Sequence, residues 1–233
     1  MEAIVLAGGF GTRLAARLRN TPKPMASIAG RPFLEILLGS LACNGCTRVL
    51  LSVGHLHQVI QNHFGPSFQS MRLDYVIERE PLGTGGAIRA ALEQATEPSV
   101  LVLNGDTFLQ ADLAALLAAH ESTEAALTIA IAQQPDIARY GGVLVEGGRI
   151  VGFQEKGRSG PGWINAGVYA IVRELAWPPA LSGKFSFESD FLMPELARLA
   201  PLAFPVNGFF LDIGVPEDLD RAQTALEQFR FSR

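Results

Sequence analysis
The chain has 233 residues, 48% apolar and 18% charged, with a formal net charge of −4. That balance suits one large α/β domain and gives no general attraction for nucleic acid or for acidic membranes. The N-terminus lacks a basic region leading into an apolar core with a cleavage site, and no run approaches the length of a membrane span, so a cytoplasmic protein is expected.

An apolar run from Ala3 to Ala7 predicts a short buried strand. It breaks into Gly8, Gly9, Phe10, Gly11, Thr12 and Arg13. Glycine lets a backbone turn sharply and approach a ligand with no Cβ in the way, so such a loop can point N–H groups at phosphate. Lys23 follows between Pro22 and Pro24, on what reads as a stiff, extended piece of chain. A glycine cradle with Arg13 and Lys23 points to a polyanion, most simply a nucleoside triphosphate. No Gly-Lys-Ser/Thr follows, which excludes a P-loop. Leu14 stands where a dinucleotide fingerprint needs its third glycine, which argues against a dehydrogenase.

Pro32 to Cys43 has helical apolar spacing, Val49 to Val53 reads as a strand, and His55 to Phe64 as a helix stopped by Gly65-Pro66. Cys43 and Cys46 flank an Asn44-Gly45 turn; without a second pair they read as reduced thiols. His55, His57 and His63 have no carboxylate among them and read as solvated or capping. A strand from Leu73 to Ile77 leads through Leu82, Gly83, Thr84 and Gly85 into a helix from Ala87 to Ala95. Its glycines make either a backbone surface for a flat nucleobase or a plain helix cap.

Val100 to Leu103 is the most apolar strand and ends in Asn104-Gly105-Asp106. Open α/β sheets bind ligands at the carboxyl ends of their strands, so Asp106 is a candidate Mg²⁺ ligand; the alternative is a turn or N-cap aspartate. A helix over Asp112–His120 and a strand over Ala126–Ala132 follow. Repeated strand–helix units predict a Rossmann-like, mainly parallel mixed sheet flanked by helices.

From Tyr140 the rhythm changes. Gly142 to Glu146, a Gly147-Gly148 turn and Arg149 to Glu155 read as a hairpin, and Gly162 to Val172 as a strand. Lys156 could hold a phosphate and Glu155 could accept hydrogen bonds from hydroxyls, although an exposed ion pair is commoner. Asn165, beside Ala166 and Gly167, is a two-way hydrogen-bonding group suited to a sugar hydroxyl. Asp212 lies in the apolar run Phe209 to Gly214, where a charge needs a partner; a second ligand to the Mg²⁺ at Asp106 would account for it. A helix over Pro216–Phe229 closes the chain.

The runs Leu6-Ala7-Gly8-Gly9-Phe10-Gly11-Thr12-Arg13-Leu14, Pro22-Lys23-Pro24-Met25 and Gly30-Arg31-Pro32 resemble the opening of the sugar-1-phosphate nucleotidylyltransferases. The later motifs match that family in order, to about residue 222. The resemblance implies the nucleotide-diphospho-sugar transferase (GT-A-like) fold as a single domain, with a nucleotide-binding half over 1–135 and a small sugar-binding β lobe within 136–233. It implies nucleotide contacts at Leu6, Ala7, Gly8, Gly9, Gly11 and Thr12, and further ones at Leu82, Gly83, Thr84, Gly85, Asn104 and Asp106. Arg13, Lys23 and Lys156 are the expected catalytic cations, the first two on the triphosphate and the third on the sugar phosphate. The sugar would meet Gly142, Glu155, Lys156, Asn165, Ala166 and Gly167, and Asp106 and Asp212 would hold Mg²⁺.

Within that family, Thr21–Ala26, Gly30–Leu34, Tyr140–Val143 and Asp212–Asp218 look closest to the heptose 1-phosphate guanylyltransferases, which act in capsule or surface-layer glycan synthesis. GTP and D-glycero-α-D-manno-heptose 1-phosphate are then the expected substrates, with no nucleic-acid or membrane partner and with a homodimer as the family expectation. Mannose 1-phosphate guanylyltransferase and N-acetylmuramate 1-phosphate uridylyltransferase activities stay open, as does an inactive nucleotide-sugar-binding regulatory subunit. The attacking group in such a reaction is a phosphate oxygen, already an anion, so no general base is required. Catalysis would consist of positioning and charge neutralisation.

Overall fold
A computed structural model describes residues 1–9, 11, 14–18 and 21–229. Thr12 and Arg13, two of the expected phosphate-loop contacts, lie outside the described residues. The first half of the chain alternates strand and helix. Strand β1 (Glu2–Leu6) leads through the short helix α1 (Ala15–Leu18) and the small ribbon β2 (Ser27–Ile28) and β3 (Arg31–Pro32) into α2 (Phe33–Cys43). Then come β4 (Arg48–Val53), α3 (His57–Phe64), β5 (Ser67–Phe68), β6 (Met71–Ile77), α4 (Gly83–Leu92) and β7 (Ser99–Asn104). The second half runs β8 (Thr107–Leu109), α5 (Leu113–Ser122), β9 (Leu127–Gln134), β10 (Val143–Glu146), β11 (Arg149–Phe153) and β12 (Gly162–Val172). It ends with α6 (Leu196–Leu199), β13 (Leu202–Val206), β14 (Phe210–Asp212) and α7 (Pro216–Ala225).

Ten of these strands form one sheet in the order β10-β11-β13-β9-β12-β7-β1-β4-β6-β5. The run β7-β1-β4-β6 is parallel, as strands joined by helical crossovers must be. Beyond β7 the sheet becomes mixed, because β12 enters antiparallel between β7 and β9. Apolar side chains cover both faces. Along β1, Ala3 and Val5 pack with Phe33, Leu34 and Leu38 of α2, while Ile4 packs with Ile88, Ala91 and Leu92 of α4. A strand buried on both sides needs the continuous apolar run that β1 and β7 carry.

Several expectations shift. Lys23 opens a 3₁₀ turn, Lys23–Met25, closed by the bond from the Met25 N–H to the Pro22 carbonyl (2.8 Å), so its mounting is stiff but not extended. Helix α4 begins at Gly83 rather than Ala87, taking the loop glycines into its first turn. The hairpin turn at Gly147-Gly148 has positive φ at both residues (55° and 75°), the twist a tight hairpin demands.

Strand β13 was not expected at all, because Pro201 and Pro205 interrupt its pattern. It is tolerated because β13 pairs along its length with β9 alone and meets β11 only at Leu202. Pro205 therefore lies where its other edge has no strand to serve. Among the described residues no helix is long and apolar enough to cross a membrane.

Candidate active site
The carboxyl ends of the parallel strands build the site. Leu6 on β1 pairs with Asn104 on β7, and the Gly105 N–H donates to the Leu6 carbonyl at 3.0 Å. A Cβ at Gly105 would lie 2.4 Å from that carbonyl oxygen, so only glycine lets the chain reach Asp106 here. Gly8 is less confined: a Cβ would meet the end of the Glu78 side chain at 2.5 Å and the Gly54 nitrogen at 3.3 Å. Gly11 has φ of +57° and packs on the stem of Lys23. Gly11 belongs to a neighbouring cavity, while Gly8 and Gly105 permit a close backbone approach around one opening.

That opening is a cavity of about 360 Å³ lined by Leu6, Gly8, Gly9, Lys23, Gly83, Thr84, Asn104 and Asp106, among others. Most of the expected nucleotide residues are therefore brought together. Leu82 and Gly85 stand behind this wall and brace it: the Gly85 N–H donates to the Phe185 carbonyl, and the Phe185 N–H to the Leu82 carbonyl, both at 3.0 Å. Ala7 is buried, with its N–H bonded to the Ser52 carbonyl. Two charged lining residues escaped the sequence analysis, Glu78 and Lys184. Glu78 accepts from Ser52 Oγ (2.9 Å) and from the Leu82 N–H (3.1 Å). Its position after the last residue of β6 is the signal that could have found it.

A second cavity, about 340 Å³, opens beside the first and shares Gly9, Lys23 and Asp106 with it. Its other walls include Gly11, Arg139, Tyr140, Lys156 and Asp212. The small antiparallel ribbon of β8 and β14 sets Asp212 opposite Thr107, and the Ile213 N–H donates to the Asp106 carbonyl at 2.9 Å. Two carboxylates more than a hundred residues apart in the chain thus become neighbours.

Their charges are felt. Burial pushes the Asp212 carboxyl above its ordinary value and the charge of Asp106 pushes it further, against the pull of Lys23, the Gly214 N–H and Arg139. Lys23 Nζ lies 2.5 Å from Asp106 Oδ2, and Arg139 Nη2 lies 3.2 Å from Asp212 Oδ1. Arg139 also pairs with the buried Asp218 and covers the Tyr140 ring at 5.0 Å. It is a further residue the sequence analysis missed, since nothing local marks it.

Among the described residues no group of three or more His, Cys, Asp or Glu side chains is arranged to hold a metal by itself. What exists is a pair of hard carboxylate donors facing a cavity, the set Mg²⁺ takes when phosphate oxygens and water complete its shell. The residues present therefore fit that ion.

The expected sugar residues are less uniform. Lys156 faces the second cavity, and Glu155 beside it is exposed. Gly142 makes room for the Gln154 side chain, whose Oε1 would lie 2.4 Å from a Cβ there. Ala166 is fully buried in the core. Gly167 (φ +68°) lies against Asn104, at a break in the pairing of β12 with β9 between Asn165 and Tyr169. Asn165 is tied to the protein: its Nδ2 donates to Tyr169 Oη (2.9 Å) and Glu188 Oε1 (2.8 Å), and its Oδ1 accepts from the Gly167 N–H (3.0 Å). Away from the site, Cys43 and Cys46 are free, and burial raises the Cys46 thiol to about 11, so it stays protonated.

Residues 2–228 match the family model described as nucleotidyl transferase. The chain is 41% identical to D-glycero-alpha-D-manno-heptose 1-phosphate guanylyltransferase of Aneurinibacillus thermoaerophilus, over 98% of this chain and all of that one. It is also 41% identical to the protein of the same name from Campylobacter jejuni, over 94% and 96% of the two chains. Among solved structures, HddC from Yersinia pseudotuberculosis superimposes with a TM-score of 0.86 at 34% identity, covering 97% of this chain and 99% of that one; the same protein has been solved complexed with GMP-PN. The Rossmann-like mixed sheet expected from the sequence is the architecture these proteins share.

Proposed function
The chain belongs to the nucleotidyl transferase family, and from that premise we propose that it transfers a guanylyl group from GTP to D-glycero-α-D-manno-heptose 1-phosphate. The products are GDP-heptose, for capsule or surface polysaccharide, and pyrophosphate. The observation that carries this reading is the convergence of Lys23, Lys156, Arg139, Asp106 and Asp212 on adjoining cavities. The identity of the relatives supports the choice of GTP and heptose.

We assign the nucleotide mainly to the 1–135 half, with the base against Gly83 and Thr84 and the phosphates at Gly8 and Gly9. The sugar phosphate falls to the 136–233 half, with Lys156 aligning it. Lys23, bonded to Asp106, can exchange that carboxylate for a phosphate oxygen as the nucleotide enters. Arg13 and Lys23 then neutralise charge on the departing pyrophosphate. The nucleophile is already ionised, so these side chains need to position and compensate rather than remove a proton.

Asp106 and Asp212 would hold Mg²⁺. Bound there, it would neutralise charge on the phosphates and favour their in-line alignment. Asp106 and Asp212 in turn supply the negative charge that draws a cation between two anionic substrates. Their proximity and the upward displacement of the Asp212 carboxyl support this assignment. Reaction in the cytoplasm follows from the substrates.

The deciding experiment is pyrophosphate release from the purified protein with GTP, UTP, ATP or CTP, Mg²⁺, and a panel of heptose, mannose, glucose and N-acetylmuramate 1-phosphates. Turnover is expected with GTP and the heptose. Preference for UTP and N-acetylmuramate, or no turnover with any pair, would overturn the reading.

A further inference from the structure
Asn165 was expected to meet a sugar hydroxyl, but its hydrogen bonds are nearly all spent inside the protein. Both Nδ2 hydrogens go to Tyr169 Oη and Glu188 Oε1, and Oδ1 takes the Gly167 N–H. An amide has two donors and one oxygen, so a single lone pair remains. The group that Asn165 serves is Glu188. Its Oε1 receives Asn165 Nδ2 at 2.8 Å and the hydroxyl of the buried Tyr169 at 3.4 Å. Among the described residues both hydrogen bonds fall on Oε1, and no cation pairs with this carboxylate. Glu188 is itself exposed.

Glu188 is in the lining of neither cavity, but its neighbours are bonded to residues that are. Glu188 lies on a π-helical turn, Phe187–Leu192. The preceding Phe187 donates its N–H to Thr84 Oγ1 at 2.9 Å, and Thr84 lines the nucleotide cavity. Phe185 is bonded to Leu82 and Gly85 of the same loop. On the other side, Gly167 packs against Asn104, which also lines that cavity. Burial pushes the Tyr169 hydroxyl well above its ordinary value, and the charges of Glu188 and, further off, Asp106 add to that.

We propose that Glu188 is a sugar-reading residue, its Oε2 accepting a hydrogen bond from a ring or side-chain hydroxyl of the sugar 1-phosphate, with Asn165 and Tyr169 as positioning residues. A fixed carboxylate without a cation repels phosphate and accepts strongly from neutral O–H donors, so it selects the polyhydroxy end of the substrate. Because its turn is bonded to the Leu82–Gly85 loop, the base wall and the sugar reader are set in place together. This inference rests on the proposed transferase reading.

The test measures KM for GTP and for the heptose 1-phosphate, by pyrophosphate release, in the wild type, Glu188→Ala and Glu188→Gln. Deoxy analogues of the sugar 1-phosphate are assayed alongside, and thermal melts check the fold. Loss of a hydrogen bond to a charged group predicts a rise in sugar KM or a fall in kcat/KM of about 10- to 100-fold in Glu188→Ala. The GTP KM should stay within twofold, and Glu188→Gln, whose amide oxygen still accepts from Asn165 and Tyr169, should melt with the wild type while its sugar KM rises. One deoxy analogue should lose a similar factor on the wild type and little more on Glu188→Ala.

A sugar KM within twofold of an active wild type, or an equal rise in both KM values, would overturn the assignment. A wild type inactive on every sugar 1-phosphate would instead overturn the transferase reading, and this inference with it.

Discussion

The two ends of the same sheet handle carboxylates in opposite ways. At the amino end of β1, Glu2 is almost fully buried, yet every oxygen is served: Arg48 pairs with Oε1, and the Thr96 and Glu97 N–H groups donate to Oε2 at 2.8 and 3.0 Å. Arg48 also reaches Asp74 at 2.6 Å, and Arg72 closes the group at 2.9 Å. At the carboxyl end, Asp106 and Asp212 are set beside each other, and Lys23, Arg139 and Lys156 are spread around a cavity. Burial acts against both Asp74 and Asp212. For Asp74 the two arginines outweigh it and hold the carboxyl below its ordinary value; for Asp212 the neighbouring carboxylate reinforces it. A network that satisfies its own charges is structural, and one that leaves like charges together awaits a ligand.

Three substitutions test that contrast. Glu2→Ala removes one partner of Arg48, which keeps Asp74, and leaves the Thr96 and Glu97 N–H groups without their acceptor; it should cost about 1–3 kcal/mol in urea unfolding, with turnover per folded molecule unchanged. Asp106→Asn and Asp212→Asn should do the reverse: pyrophosphate release falls about 100-fold, on the scale of a lost charge-stabilising group, and stability holds or rises. If Asp212→Asn destabilised as Glu2→Ala does while keeping turnover, the two ends would not differ in kind. A smaller effect concerns the cation. At ten times its dissociation constant, Mg²⁺ should add about 1.4 kcal/mol, roughly 3–6 °C in Tm for a chain of this size. Asp212→Asn should abolish that shift, and an equal shift in the variant would remove Asp212 from the metal site.

How much of this could be read from the residues alone follows from the range of the signal. The glycine loops and Asp106 announce themselves because strand, turn and charge are adjacent in sequence. Asp212 was legible because a carboxylate in an apolar run needs a reason. Arg139 and Glu188 were not, since each acquires its role from partners 73 or 23 residues away. Asn165 was legible for its chemistry, but the destination of its donors was not, because sequence does not reveal that Tyr169 and Glu188 take them. Strand β13 hid behind two prolines, and only its topology shows that Pro205 lies beyond its single pairing with β11. The expected grip of Arg13 on the phosphates lies outside the described residues and rests on the resemblance.

The smallest expected effect is also the one that separates the two ends by sign. Asp74 has a lowered carboxyl, so folding favours its ionised form; its contribution is present above the ordinary value of 3.8 and is lost as pH falls through the lower folded value. Asp212 has a raised carboxyl, so folding favours its protonated form. The penalty for ionising it is present above the raised folded value and disappears as pH falls toward 3.8. Urea unfolding of the wild type, Asp212→Asn and Asp74→Asn across the acid range measures both. Relative to Asp212→Asn, the wild type should gain stability as pH falls from neutral toward 3.8; relative to Asp74→Asn, it should lose stability as pH falls below that. Difference curves of the same sign would mean that Asp212 is satisfied by its own chain, and the carboxyl end of the sheet would then have no charge left to recruit a cation.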